Sequence, residues 1–386
     1  MKKKIIILGS TGSLGKSTLD IISNNKKNYS IELLVANKNF KTIYKQIIKF
    51  KPKYVYLADN INSRRLSVLL RKNKTKIIAN FDEIEKKISK SDIMMSSITG
   101  LDGLKYNLSL IKKAKKILFA NKESIICGWN LIKKEMDKYN SSYIPVDSEH
   151  FAISELIKNK DIKKIKNITI TASGGPFFNF EKKLMKNINK KMALNHPRWK
   201  MGKKISIDSA TMMNKIFEVI EAMKIFNLEK NKIDILIHPK SYLHAIVNFN
   251  NGLTKLLAHD TTMEIPITNA LYLDKEIDNF KNNNFKYNKL NGLNLLKPDK
   301  KNFPLLKILN YNFHNTYLEV ILVSINDELV QRYLDDKLSY LSIHKNMLKL
   351  LKKPYFTKYY SSRPKNINDV KLMVNKVKDY LNEYLK

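Results

Sequence analysis

A single cysteine, Cys127, stands in the whole chain, so no intrachain disulfide can form. Such scarcity fits a reducing compartment. Long apolar runs are missing too: none approaches the roughly 20 residues that a bilayer-crossing helix needs. Met1 to Leu8 passes from Lys2-Lys3-Lys4 straight into Ile5-Ile6-Ile7-Leu8. A secretory signal would need a longer apolar stretch and a small-residue cleavage site. A cytoplasmic protein with no membrane partner is expected. Acidic residues are in short supply, 35 against 71 basic ones, for a net charge of +36. An excess of that size raises the question of a nucleic-acid partner. Arginine, however, appears only at 64, 65, 71, 198, 332 and 363. Lysine carries the rest, spread along the chain among Asn and Ile, the pattern of an AT-rich coding sequence. Readers of base edges and phosphates favour concentrated Arg forks. No specific nucleic-acid partner is expected, although the charge would attract phosphorylated metabolites.

With 386 residues, 43% of them hydrophobic, the chain has material for two or three domains. Residues 1–146 alternate strand patterns (Lys4–Leu8, Ile31–Val35, Tyr54–Leu57, Asp92–Ser96, Lys116–Ala120, Tyr143–Val146) with helical ones (Lys16–Ser23, Phe40–Phe50, Ser63–Lys72, Ser124–Tyr139). This rhythm predicts an α/β fold with a doubly wound parallel sheet. Residues 147–272 change pattern. Strands Ile168–Ala172, Ile233–His238 and His244–Phe249 mix with one long helix near 209–226, predicting an α+β domain. Residues 273–303 read as a linker wrapping another surface, and 304–386 as a helical domain. In its last helix Val370, Met373, Val374, Val377, Leu381 and Leu385 share a face, with Asn368 or Asp369 as N-cap.

Gly9-Ser10-Thr11-Gly12-Ser13-Leu14-Gly15 follows the first strand and opens a helix. Small residues there let backbone approach a dinucleotide pyrophosphate at the helix N-terminus. A tight turn without a ligand has the same signature. Gly15-Lys16-Ser17 also resembles the end of a P-loop, as in a phosphotransferase, but position 10, where that motif needs Gly, is Ser. The second strand runs into Asn37-Lys38-Asn39, without the acid that holds the ribose of NAD. Lys38 and Asn39 favour NADPH; an exposed surface lysine is the plain alternative. Asn121, Lys122 and Glu123 follow a later strand, where ligands sit in such sheets, though Glu123 also suits a helix start.

Val146-Asp147-Ser148-Glu149-His150 reads as a strand end. There Asp147 and Glu149 point the same way, and two close carboxylates call for a hard cation, Mg²⁺ or Mn²⁺. Helix capping explains the same residues equally well. Asn214, Lys215 and Glu218 share a helical face, so Glu218 can join a metal while the other two donate to a phosphate; an exposed Lys–Glu pair is the alternative. Asp208 and Ser209 are expected at that helix's start. Ser173-Gly174-Gly175-Pro176-Phe177 reads as a substrate loop or a plain turn. Asn195-His196-Pro197-Arg198-Trp199 reads as a lid or a docked loop. His238 and His244, inside strand patterns, read as core.

Together these segments resemble the 1-deoxy-D-xylulose 5-phosphate reductoisomerase family, in the family's order and over essentially the whole chain. The resemblance implies a Rossmann-like NADPH domain over 1–146. A catalytic, metal-binding and dimerisation domain follows over 147–272, with a lid at 193–203, then the linker 273–303 and the helical domain 304–386. It implies that Thr11, Gly12, Ser13 and Leu14 meet the nucleotide phosphates, and that Asn37, Lys38 and Asn39 lie at its adenosine end. Asn121, Glu123 and Gly202 also contact NADPH. Asp147, Glu149 and Glu218 bind Mg²⁺ or Mn²⁺. Lys122, Ser148, Glu149, Ser173, His196, Ser209, Asn214, Lys215 and Glu218 meet a phosphorylated sugar, with Lys122 and His196 counted among the catalytic groups. A homodimer is implied as well. So is a reaction in which a carbon–carbon bond is broken and remade before NADPH delivers hydride, giving 2-C-methyl-D-erythritol 4-phosphate. Asn37 and Ile216 replace glycines usual in the family, and His259 lies in a segment that departs from its pattern.

Overall fold

The computed structural model describes residues 2–158, 162–272 and 287–385, packed as two compact units. The first comprises residues 2–124, 130–151 and 263–272. The second comprises 125–129, 152–158, 162–262 and 287–385.

Seven strands form the sheet of the first unit: β1 (Lys3–Leu8), β2 (Tyr29–Ala36), β3 (Tyr54–Leu57), β4 (Lys76–Ile78), β5 (Ser91–Ser96), β6 (Ala114–Phe119) and β7 (Ser142–Pro145). Their order is β4-β3-β2-β1-β5-β6-β7, with every pairing parallel. Ile5, Ile6 and Ile7 are fully buried, which is why β1 reads as a continuous apolar run rather than an alternating one. Parallel pairing places all the strand C-termini along one edge. The chain builds outward from β1 to β4 and then returns to β5 on the other side of β1, leaving a crevice at that reversal. Helix Glu264–Tyr272 belongs to this core: Ile267, Ala270 and Leu271 pack with Ile5, Leu19 and Ile22.

The second unit holds a mixed sheet of β8 (Ile165–Ala172), β9 (Ile233–Ile237), β10 (Leu243–Phe249) and β11 (Thr254–Ala258), in the order β11-β10-β8-β9. β8 and β9 are parallel; β10 runs antiparallel to both β8 and β11. Leu296, from the segment expected to be a linker, pairs antiparallel with Ile237 at the β9 edge; residues 273–286 of that segment lie outside the described residues. Helices Tyr317–Leu334, Tyr340–Leu350 and Ile367–Tyr384 supply the expected helical C-terminal part.

Several expectations need correction. β4 and β11 lie outside the expected strands: β4 is three residues long and β11 is largely exposed. The long helix near 209–226 is two helices, Lys203–Ala210 and Met213–Ile225, broken at Thr211-Met212 with Met212 at φ 62°. Nothing local in the sequence announces a methionine in the left-handed region. The last helix is capped by Asn366, whose side chain accepts from the amides of Asn368 and Asp369, the two residues expected as caps.

Candidate active site

In the first unit, the candidate residues sit along the C-terminal edge of the parallel sheet. The amides of Gly9 and Ser10 both donate to Val35 O at 2.9 Å, folding the turn back over β2. Gly9 has φ 82°, and a Cβ there would meet Ser97 O at 2.6 Å; a Cβ at Gly15 would meet Gly9 O at 2.3 Å. The glycines are thus required by the close passage of backbone over backbone. Helix Ser13–Asn24 opens after Gly12 with no side-chain cap. Its first amides therefore face outward without a side-chain acceptor, which suits an anionic diphosphate. Gln46 Nε2 braces the turn through Ser10 O at 2.7 Å. Asn37, Lys38 and Asn39 are exposed after β2, and Asn39 Oδ1 caps helix Phe40–Phe50.

Asn121 follows β6. Its Oδ1 caps helix Lys122–Tyr139 through Ser124 N, while its Nδ2 donates to Gly100 O at 3.0 Å and Glu123 Oε2 at 3.2 Å. Next to it the buried Lys122 ammonium lies 2.9 Å from Asp147 Oδ2. The strand-end picture for Asp147 and Glu149 is corrected here. β7 stops at Pro145, and Ser148 and Glu149 form the first turn of helix Ser148–Leu156, with Phe151 N donating to Asp147 O. Ser148 Oγ donates to Glu149 Oε2 at 2.6 Å. Helical spacing brings in a residue missed in the sequence: His150, fully buried, has Nδ1 3.6 Å from Asp147 Oδ1. The i,i+3 spacing from Asp147 was the available signal, hidden by reading the segment as extended. Burial alone would raise the Asp147 pKa. The Lys122 ammonium, helped by His150 and a hydrogen bond involving Glu149, outweighs it and holds the carboxyl well below the usual range. Among the described residues, Asp147 Oδ1 is buried without a hydrogen-bond partner.

In the second unit, Ser173 follows β8. Gly175 N donates to Ser173 Oγ at 3.0 Å, and His196 Nε2 lies 2.9 Å from the same oxygen. Nδ1 of His196 accepts from the amides of Trp199, at 2.9 Å, and Arg198, at 3.2 Å. Two N–H donors at Nδ1 assign the ring proton to Nε2, so His196 donates to Ser173 and the Ser173 hydroxyl proton is left to point outward. Burial, with Arg198 nearby, pushes the His196 pKa down to about 4, so the ring is neutral near pH 7. Arg198 Nε donates to Pro239 O at 2.9 Å, and Trp199 meets the His244 ring edge-on at 6.4 Å. The segment is therefore docked on its own unit. His238 and His244 are buried, as expected.

Gly175 packs so tightly that a Cβ would meet Ser209 O at 2.8 Å, which sets the Ser173 loop against the end of helix Lys203–Ala210. Ser209 thus lies near the C-terminal end of one helix, not at the start of the long one expected. Asp208 is buried, with its carboxylate on Lys204 and Asn326. Gly202, with open space around it, is the N-cap of the same helix. Past the break, Asn214 Nδ2 donates to Glu218 Oε1 at 2.6 Å. The Lys215 ammonium donates to Glu218 Oε2 and, at 2.5 Å, to Thr171 O. Lys215 and Glu218 are both buried rather than forming a surface pair.

Comparison with known proteins adds the family. A family model described as 1-deoxy-D-xylulose 5-phosphate reductoisomerase matches residues 5–128. Models of the C-terminal domain of that enzyme match residues 143–226 and 259–380. A 1-deoxy-D-xylulose 5-phosphate reductoisomerase of Pelagibacter ubique is 50% identical over 373 residues, covering 95% of this chain and 96% of that one. One from Sulfurihydrogenibium is 37% identical, covering 99% and 98%. Among solved structures, the Zymomonas mobilis enzyme in complex with NADPH superposes with a TM-score of 0.89 at 30% identity, covering all of both chains. A DOX-P reductoisomerase in complex with NADPH, fosmidomycin and magnesium gives a TM-score of 0.91 at 30% identity, covering 99% and 98%.

Proposed function

Because this chain belongs to the 1-deoxy-D-xylulose 5-phosphate reductoisomerase family, we propose that Asp147, Glu149 and Glu218 are the ligands of one Mg²⁺ or Mn²⁺ beside a bound NADPH. The enzyme rearranges and reduces 1-deoxy-D-xylulose 5-phosphate to 2-C-methyl-D-erythritol 4-phosphate, a step of non-mevalonate isoprenoid precursor synthesis. Family membership displaces the P-loop phosphotransferase reading of the activity.

The observation that supports Asp147 as a ligand is its buried Oδ1, which has no hydrogen-bond partner, with His150 Nδ1 3.6 Å away, while Oδ2 faces Lys122. A buried carboxylate oxygen left in that state is costly unless a cation meets it. The uncapped start of helix Ser13–Asn24 and its glycine cradle support a dinucleotide in the same way. When bound, the divalent ion polarises the substrate's carbonyl and neighbouring hydroxyl oxygens, and NADPH supplies the hydride.

Thr11, Gly12, Ser13 and Leu14 hold the nucleotide diphosphate. Lys38 meets the 2′-phosphate, flanked by Asn37 and Asn39; Asn121, Glu123 and Gly202 complete the NADPH contacts. Lys122 stabilises negative charge that develops on substrate oxygen. Ser148 and Glu149 hold the substrate's hydroxyl end. Ser173, Ser209, Asn214 and Lys215 take its phosphate, and neutral His196 orients the Ser173 hydroxyl for that contact. Residues 193–203, docked through Arg198 and Trp199, are the lid over the substrate, and in that docked position they exclude water. The protein works in the cytoplasm as a homodimer.

The test is turnover of 1-deoxy-D-xylulose 5-phosphate, followed as loss of NADPH absorbance with and without Mn²⁺. Metal-dependent oxidation of NADPH is expected; none with both metal and substrate present would reject the assignment.

A further inference from the structure

A second cation stands beside the turn that follows β2. Asp59 N donates to Asn37 O at 3.0 Å, and Asn62 Nδ2 donates to Lys38 O at 3.4 Å. These bonds tie the first turn of helix Asn60–Leu69 to residues 37–39. Residue 65 lies three on from Asn62, on the same helical face. The Arg65 guanidinium carbon sits 4.8 Å over the ring of Phe40, which directly follows Asn39. Arg65 is exposed, and among the described residues no carboxylate lies within ion-pair distance of it. A guanidinium held over an aromatic face keeps an N–H edge available to a ligand. An edge of that kind matches two phosphate oxygens at once, whereas Lys38 offers a single mobile point charge. In a chain whose positive charge is almost all lysine, an arginine at this place is unusual.

We propose that Arg65, held over the ring of Phe40, forks the 2′-phosphate of NADPH together with Lys38, and so sets the preference for NADPH over NADH. The proposal rests on the reading of residues 37–39 as the adenosine-end site. A phosphate monoester carries between one and two negative charges near pH 7, more than one lysine neutralises. The competing role for the same pair is an adenine platform, and adenine is common to both nucleotides.

Calorimetric titration of the intact protein with NADPH and with NADH separates these roles. Wild type is expected to bind NADPH more tightly than NADH. Arg65→Met should weaken NADPH about tenfold while NADH changes less than about twofold. Phe40→Leu, which keeps the charge and removes the platform, should weaken NADPH by a smaller factor, again without affecting NADH. Equal losses for both nucleotides, or no loss for NADPH in Arg65→Met, would overturn the proposal. Lys38→Met distinguishes its failure from that of the underlying reading. If Lys38→Met leaves the NADPH preference intact while Arg65→Met abolishes it, Arg65 stands and the role given to Lys38 falls. A wild-type protein with no preference for NADPH removes both.

Discussion

The two units present functional groups by different physical means. In the first, a parallel sheet aligns the strand ends, and each candidate group follows one of them: Gly9 after β1, Lys38 after β2, Lys122 after β6, Asp147 after β7. Backbone direction alone brings them to one edge, and strand patterns with glycine turns advertise it. In the second, placement depends on a helix break at Met212, a pair of left-handed glycines and a hydrogen bond from one loop to another, between Ser173 and His196. Even the support is remote. Tyr340, from the helical C-terminal part, packs its ring 5.1 Å from Phe177 and donates to Ala210 O at 2.6 Å, bracing both the Ser173 loop and the end of the helix before the break. Strand-edge sites are set by topology, and loop-built sites by tertiary contacts that tolerate less disturbance.

The contrast can be pressed hardest at Glu218, the one proposed metal ligand from the second unit. Glu218→Gln keeps the side-chain shape and the Asn214 contact but removes the charge. It should lower kcat by about a hundredfold to a thousandfold, with NADPH affinity unchanged. Steady-state rates over a Mn²⁺ series check this, and near-normal kcat would confine metal binding to the first unit.

A smaller loss is expected where one loop supports another. Ser173→Ala removes the proposed phosphate donor and should raise KM about tenfold with less effect on kcat. His196→Ala should produce much of the same loss through Ser173. The double variant should then fall short of the sum by at least about 0.5 kcal/mol, because the two act as one unit. Full additivity would mean that His196 meets substrate independently of Ser173.

The smallest effect concerns pH and the remote brace. His344 is buried against Tyr340, its ring 4.9 Å away, and burial pushes its pKa from 6.5 down to about 4. Nε2 has no hydrogen-bond partner among the described residues. As pH falls, the unfolded chain takes up this proton first. The contribution is therefore fully present above about pH 6.5 and is lost progressively towards pH 4. Denaturant midpoints across that window should fall less steeply in His344→Phe than in wild type. His196, displaced in the same direction, contributes to both curves and cancels in the comparison.

The first unit was largely legible because parallel strands buried on both faces and small-residue turns leave local signals. Six of its seven strands match expectation to within two residues at each end, and β4 was too short to register. The second was legible in its strands but not in its joints. Residues 209–226 carry a continuous helical pattern, and only tertiary packing imposes the left-handed Met212. An extended geometry pairs Asp147 with Glu149, whereas Glu149 occupies a helical first turn and His150 comes into reach of Asp147. The residue types stood out because charge is costly to bury. The backbone beneath them is decided by a helix start that an Asp-Ser-Glu run signals only ambiguously.

Mn²⁺ titration, read by electron paramagnetic resonance on the wild-type protein and on Asp147→Asn, Glu149→Gln and Glu218→Gln, tests most directly whether the two units supply one cation site. The predicted result is one ion per chain in the wild type, with each single variant weakening binding by at least about tenfold. Wild-type affinity in Glu218→Gln, with the other two variants impaired, would contradict it.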